Sequence, residues 1–153
     1  MEHAEFFSYL VSIRAHAVSA ECARDSIRAA EAKLTKVSCA GMDGVRVSSG
    51  SVDYDRTAMR VYALQCIREA RGRRLHEDVA ALREFRSRLD SCGLGEDEAN
   101  ALWCKYALGM RNAEIAERLG MDARHVYPAI VAARGVLAEH MGAERLLEKQ
   151  DNL

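Results

Sequence analysis

The alternation of apolar and polar positions along this chain follows a helical rhythm almost throughout. From residue 4 to 37, Phe6, Leu10, Ile13, Ala17, Ala20, Ile27, Ala30, Leu34 and Val37 recur at broadly three- and four-residue steps. That spacing places them on one side of a single long helix. The seam thins around Ala23 and Arg24. So narrow a stripe suits a partner helix lying alongside, or a place in a larger bundle. At 1.5 Å per residue the helix would run for roughly 50 Å. A second long stripe crosses residues 54–90, with Val61, Leu64, Ile67, Ala70, Leu75, Val79, Leu82, Phe85 and Leu89. Gly72 interrupts it and marks a place for a bend. Between the two lies Ser38 to Asp53, with three glycines and four serines in sixteen residues, which reads as a loop. Two long helices joined by one loop predict an antiparallel hairpin over residues 1–92, each stripe burying the other.

The pattern then shortens. Ser91, Gly93 and Gly95 punctuate the chain, and the acidic run Glu96-Asp97-Glu98 favours the first turn of a new helix. That helix carries Ala99, Leu102, Trp103, Tyr106 and Ala107 on its apolar side. Ile115, Ala116 and Leu119 share one face of a short following segment. Gly120 supplies the tight or left-handed turn after it, and Asp122 is placed as an N-cap. A longer helix opens with Val126, Ile130, Ala133 and Leu137 at steps of four, three and four. Short helix, glycine turn and longer helix form the outline of a helix-turn-helix. Small Ala116 fits the point where the two helices cross. Gly142 is the expected end of the last helix, leaving 143–153 as a tail with a short helix through Leu146 and Leu147. The expected organisation is therefore a hairpin at 1–92, a helix-turn-helix module at 93–142, and a C-terminal tail.

The run from Leu94 to His140, carried by LWCKYALGMRNAEIAERLGM and then AARGVL, resembles region 4 of sigma-70-family transcription factors. The hairpin and its connector VSSGSVDYDR are similar to ArpU-type late transcription regulators of phages from Gram-positive bacteria. The resemblance implies an all-α phage or prophage transcription regulator. It would bind double-stranded promoter DNA through the helix-turn-helix, with host RNA polymerase as a partner and the hairpin as a homodimer surface. It would act in the cytoplasm of a bacterial host cell. The rival reading is a protein-binding inhibitor or adaptor on the same frame, directed at host polymerase or at a defence system such as CRISPR.

Composition agrees with the helical reading: one proline, 49% hydrophobic residues, and a size suited to one domain or two small ones. Net charge is −1, so no global attraction to nucleic acid follows. Locally, residues 54–92 hold nine arginines against six acids, while 93–142 hold five basic residues against seven acids. The module expected to read DNA is thus slightly acidic, which weighs towards the rival.

The candidate DNA-contacting residues lie on the surface left free by the core stripe. Arg124, His125 and Tyr127 occupy the first turns of the last helix, where a helix-turn-helix addresses the major groove. Arg134 lies further along. Arg111 and Asn112 stand at the start of the preceding helix, placed to touch phosphates. Pro128 breaks the pattern, because it removes the amide that would bond to the Arg124 carbonyl. Either it splays the first turn for a particular groove or DNA reading has been lost. Arg71–Arg74, RGRR, spreads around the helix and reads first as a solvated charged face.

No enzyme, metal or cofactor is expected. His76-Glu77-Asp78 lacks the second histidine of a zinc-protease motif, because Ala80 stands there. The five cysteines show no CxxC spacing, Asp53 and Asp55 have no companion base, and no phosphate-loop pattern occurs. No signal peptide and no apolar run of membrane-spanning length is read from the sequence.

Overall fold

A computed structural model describes residues 3–40 and 51–151, and the side chains of 4–36 and 56–143. Its described residues form five helices and no strand: α1 (His3–Ala40), α2 (Ser51–Ser91), α3 (Glu96–Tyr106), α4 (Asn112–Leu119) and α5 (Ala123–Asp151). The chain is all-α. Three boundaries differ from expectation. Residues 38–40 and 51–53 are helical, so the rest of the expected loop, 41–50, lies outside the described residues. Gly142 does not end α5, which runs on to Asp151. A single glycine costs a helix only about 1 kcal/mol, too little to stop one whose other side chains are packed.

The chain divides into two compact units, Met1–Ala17 with Val79–Leu153, and Val18–Asp78. The division falls within the long helices. In the first unit, Phe6, Leu10 and Ile13 of α1 meet Phe85 and Leu89 of α2, Leu102 of α3 and Ala133, Leu137 and Met141 of α5. Phe85 is the centre of an aromatic group. Trp103 stacks on it at 5.9 Å, and Tyr9 meets it edge-on at 6.1 Å. Each large side chain buried here contributes roughly 1.5–3 kcal/mol of transfer free energy. Leu102 and the two aromatics therefore fix α3 against the ends of the long helices.

A second cluster lies among α3, α4 and α5: Ala101 and Cys104, Ile115 and Ala116, Val126 and Ile130. Ala101 and Cys104 face away from the expected apolar side of α3, which is therefore apolar on two sides. The reason is geometric. α3 serves as the shared wall between the larger core and the α4–α5 pair.

In the second unit Ala20, Ala23 and Ala30 are fully buried. The thin place in the α1 seam is thus a contact made by alanine, where small side chains let backbones approach. Ser19 of α1 accepts a hydrogen bond from Arg74 of α2 at 3.4 Å. On α2 the half-buried positions Val61, Leu64, Gly72, Leu75 and the buried Asp78 follow one face. Ile67 and Ala70, expected on that stripe, are exposed. Eleven residues make just over three whole turns, so the buried face passes from Leu64 to Leu75 and leaves Ile67 to one side.

Candidate nucleic-acid interface

The α4–α5 pair owes its geometry to a few local choices. The Arg111 backbone N–H donates to the Glu114 carboxylate at 2.6 Å, half of a capping arrangement that starts α4. Gly120 ends it at φ +64°, where its N–H reaches the Ala116 carbonyl. Three residues after Leu119 separate the helices. Asp122 then caps α5, accepting the Arg124 N–H at 2.9 Å on Oδ1. Ile115 and Val126, both fully buried, lock the pair together from the inside.

What α5 leaves outside is mixed. Arg124 is almost wholly exposed, with its side chain 88% accessible. His125 is exposed, and Tyr127 is 64% accessible. All three stand in the first turns, as the sequence implied. Arg124 is not a free cation, however. Its Nη2 lies 3.0 Å from Asp122 Oδ2 and its Nε donates to Oδ1 at 3.3 Å. The same pairing holds the Asp122 carboxyl below its ordinary range, first through the Arg124 side chain and then through the Arg124 N–H. The guanidinium is oriented and partly neutralised by the cap residue two positions earlier. Sequence reasoning named Asp122 only as a cap. The D-x-R spacing was the signal that could have revealed the clamp.

The other candidates divide. Arg111 is exposed at the head of α4. Asn112 is half-buried, and its Oδ1 accepts a hydrogen bond from Lys105 Nζ of α3 at 3.0 Å. That bond ties α4 to α3 through the amide oxygen; a phosphate, itself an acceptor, would take the Nδ2–H instead. Arg134 is ten residues beyond Arg124, about 15 Å along the axis. Its guanidinium lies over the Phe7 ring of α1, 5.2 Å from the centroid. Its Nε is buried with no hydrogen-bond partner among the described residues. Arg134 is therefore a packing cation of the α1–α5 contact and does not join the Arg124 group.

Pro128 sits on the exposed side of α5, and the helix continues through it. Its ring meets solvent, and the Arg124 carbonyl is left without its helical amide donor. Beside it, Val131 is 45% accessible. Tyr127, Val131 and Arg134 are spaced by four and three, so they share one side of α5. Phe7, half accessible, meets Arg134 at the end of that row. The presented surface is one clamped arginine, a histidine and an apolar row, with exposed Glu114 and Glu117 on α4.

Among the described residues, no group of three His, Cys, Asp or Glu side chains could hold a metal ion. No helix among them is long and apolar enough to cross a membrane. No protein-family model, curated protein or solved structure matches the chain.

Proposed function

We propose that the protein is a phage or prophage transcription regulator that binds double-stranded promoter DNA through a sigma region 4-like helix-turn-helix, α4 and α5. The long helices form an antiparallel hairpin that supplies a surface for a second copy or for host RNA polymerase, in the cytoplasm of the bacterial host. The observation that carries the reading is the placement of Arg124, His125 and Tyr127. They are exposed in the opening turns of α5, behind a left-handed glycine turn and over a fully buried Ile115–Val126 contact. An arginine held in a fixed plane by Asp122 is pre-oriented for the bidentate edge of guanine, which is how arginine most often reads a base.

The test is binding to labelled duplexes from phage promoter regions, followed by fluorescence anisotropy over a salt series. Arg124→Ala is expected to weaken the best site roughly tenfold to a hundredfold and to relax discrimination at one base pair. Salt-independent binding, or affinity and discrimination unchanged by Arg124→Ala, would overturn the DNA reading.

A second reading is favoured by the apolar row. Tyr127 and Val131 are large side chains left exposed on one side of α5, and the module is slightly acidic. On that reading the protein is an inhibitor or adaptor whose α5 row docks on a host protein. Nuclease-resistant co-purification with a host protein, abolished by Tyr127→Ala and Val131→Asp, would select it.

A further inference from the structure

A cationic surface lies in the second unit, away from α4 and α5 in sequence. Lys33 and Lys36 of α1 and Arg60 of α2 line a cleft of about 440 Å³, together with Ala63 and Leu64. All three cationic side chains are exposed. None of them has an ion pair or hydrogen bond among the described residues, whereas Arg28, Arg74, Arg86, Arg88 and Arg124 are each paired with a carboxylate. Residues 29–36 and 56–64 hold four basic side chains, Lys33, Lys36, Arg56 and Arg60, and one acid, Glu31. Three like charges facing one space repel one another, and an anion placed there removes that cost.

We infer that Lys33, Lys36 and Arg60 form a phosphate-binding cleft. The donor set fits that group better than a carboxylate. Two ammonium groups and a planar guanidinium offer more donors and more charge than a singly charged anion can match. A phosphate has several acceptor oxygens and takes both the point charge of lysine and the fork of arginine. The volume is that of a small-ligand site. Ala63 and Leu64 give it an apolar wall on which a sugar or base can rest. The shared chemistry is a phosphate carried either by a nucleic-acid backbone or by a free nucleotide. The inference does not depend on the reading of α4 and α5.

The experiment compares the full chain with the triple variant Lys33→Gln, Lys36→Gln, Arg60→Gln. All three positions are on the surface, so the helical circular-dichroism melt is expected to be unchanged. One arm titrates a fluorescein-labelled duplex over a salt series. The other titrates ATP and follows amide chemical shifts of α1 and α2. If the phosphate belongs to a backbone, the triple variant lowers the log-affinity against log-salt slope by about 2–3. If it belongs to a free nucleotide, ATP shifts the amides near Lys33, Lys36 and Arg60, and the triple variant loses those shifts. A wild-type protein indistinguishable from the triple variant in both arms overturns the site. Arg124→Ala separates the two proposals: it leaves ATP shifts and the cleft's share of the salt slope in place, whatever it does to base discrimination.

Discussion

The turn between α4 and α5 makes a quantitative claim about two glycines in the same unit. Gly120 is at φ +64° with open space where a Cβ would project, so Gly120→Ala meets no steric clash. Its whole cost is the left-handed backbone, about 1–2 kcal/mol for a residue with a Cβ. Gly135 also has open space but sits inside α5. Gly135→Ala carries the opposite sign, a gain of about 1 kcal/mol in helix propensity. For a chain of this length such changes move Tm by about 2–4 °C per kcal/mol. Gly120→Ala is thus expected to lower it by roughly 2–8 °C and Gly135→Ala to raise it by a few degrees. Trp103 is the one tryptophan and stacks on Phe85 in the core of this unit. Thermal unfolding followed by its fluorescence therefore reports on the right part of the molecule. Gly120→Asn should recover part of the loss, because asparagine enters the left-handed region more readily. A Gly120→Ala variant as stable as the wild type would show that the turn is not held left-handed. A destabilised Gly135→Ala would remove the continuous α5.

Other consequences are open to simple measurements. Arg74→Ala removes the guanidinium 3.5 Å from the fully buried Asp78 carboxylate and should destabilise the second unit by about 1 kcal/mol, measured by urea unfolding monitored at 222 nm. The clamp at α5 has an acid limit. Because the Asp122 carboxyl is held below its ordinary value in the folded chain, its stabilisation is present above the unfolded carboxylate pKa and is lost as pH falls through the lowered one. Asp122→Asn should remove that part of the acid dependence, seen by comparing the two pH-stability curves. Thiol labelling should be graded: Cys22 and Cys66 are exposed and react first, and Cys104 is buried and waits for unfolding. Cys92 comes between them, because partial burial pushes its thiol pKa up and reduces the reactive thiolate.

Much of the fold could be read from period alone because the helices satisfy their hydrogen bonds locally and display their cores at regular steps. Phe6, Leu10, Ile13, Val126, Ile130, Ala133 and Leu137 are buried as their spacing implies. Gly120 and Asp122 took their turn and cap positions for reasons of backbone geometry that a sequence carries directly. The misreadings have physical causes. Ala23 was read as a thin place in the seam, yet it stands three residues after Ala20 and four before Ile27 and is buried, its small size being what a close helix contact uses. Ala101 and Cys104 were passed over because a stripe search assumes one buried face, and α3 has two. Gly142 looked like a stop because one glycine was weighed as a helix end, whereas it costs a helix only about 1 kcal/mol and α5 continues through it.

The candidate interface was less legible, because exposure can be read from period but engagement cannot. Arg124, Arg134 and Asn112 all fall outside the core stripe, and a helical wheel treats them alike. In the folded chain Arg124 is outward but held by Asp122, Arg134 lies on Phe7, and Asn112 receives Lys105. Each engagement depends on a partner that the wheel does not display: two residues away, on another helix, or on α1. The same reasoning runs in reverse for Lys33, Lys36 and Arg60. In a sequence with nearly equal numbers of acids and bases, three more basic residues carry no message. They become informative once two helices bring them to one cleft with no carboxylate among the described residues that line it. Charge that the fold leaves uncompensated is a stronger pointer to a ligand than charge that is merely exposed. By that measure the cleft between the long helices is better suited to a phosphate than the face of α5, where the foremost arginine already has its carboxylate.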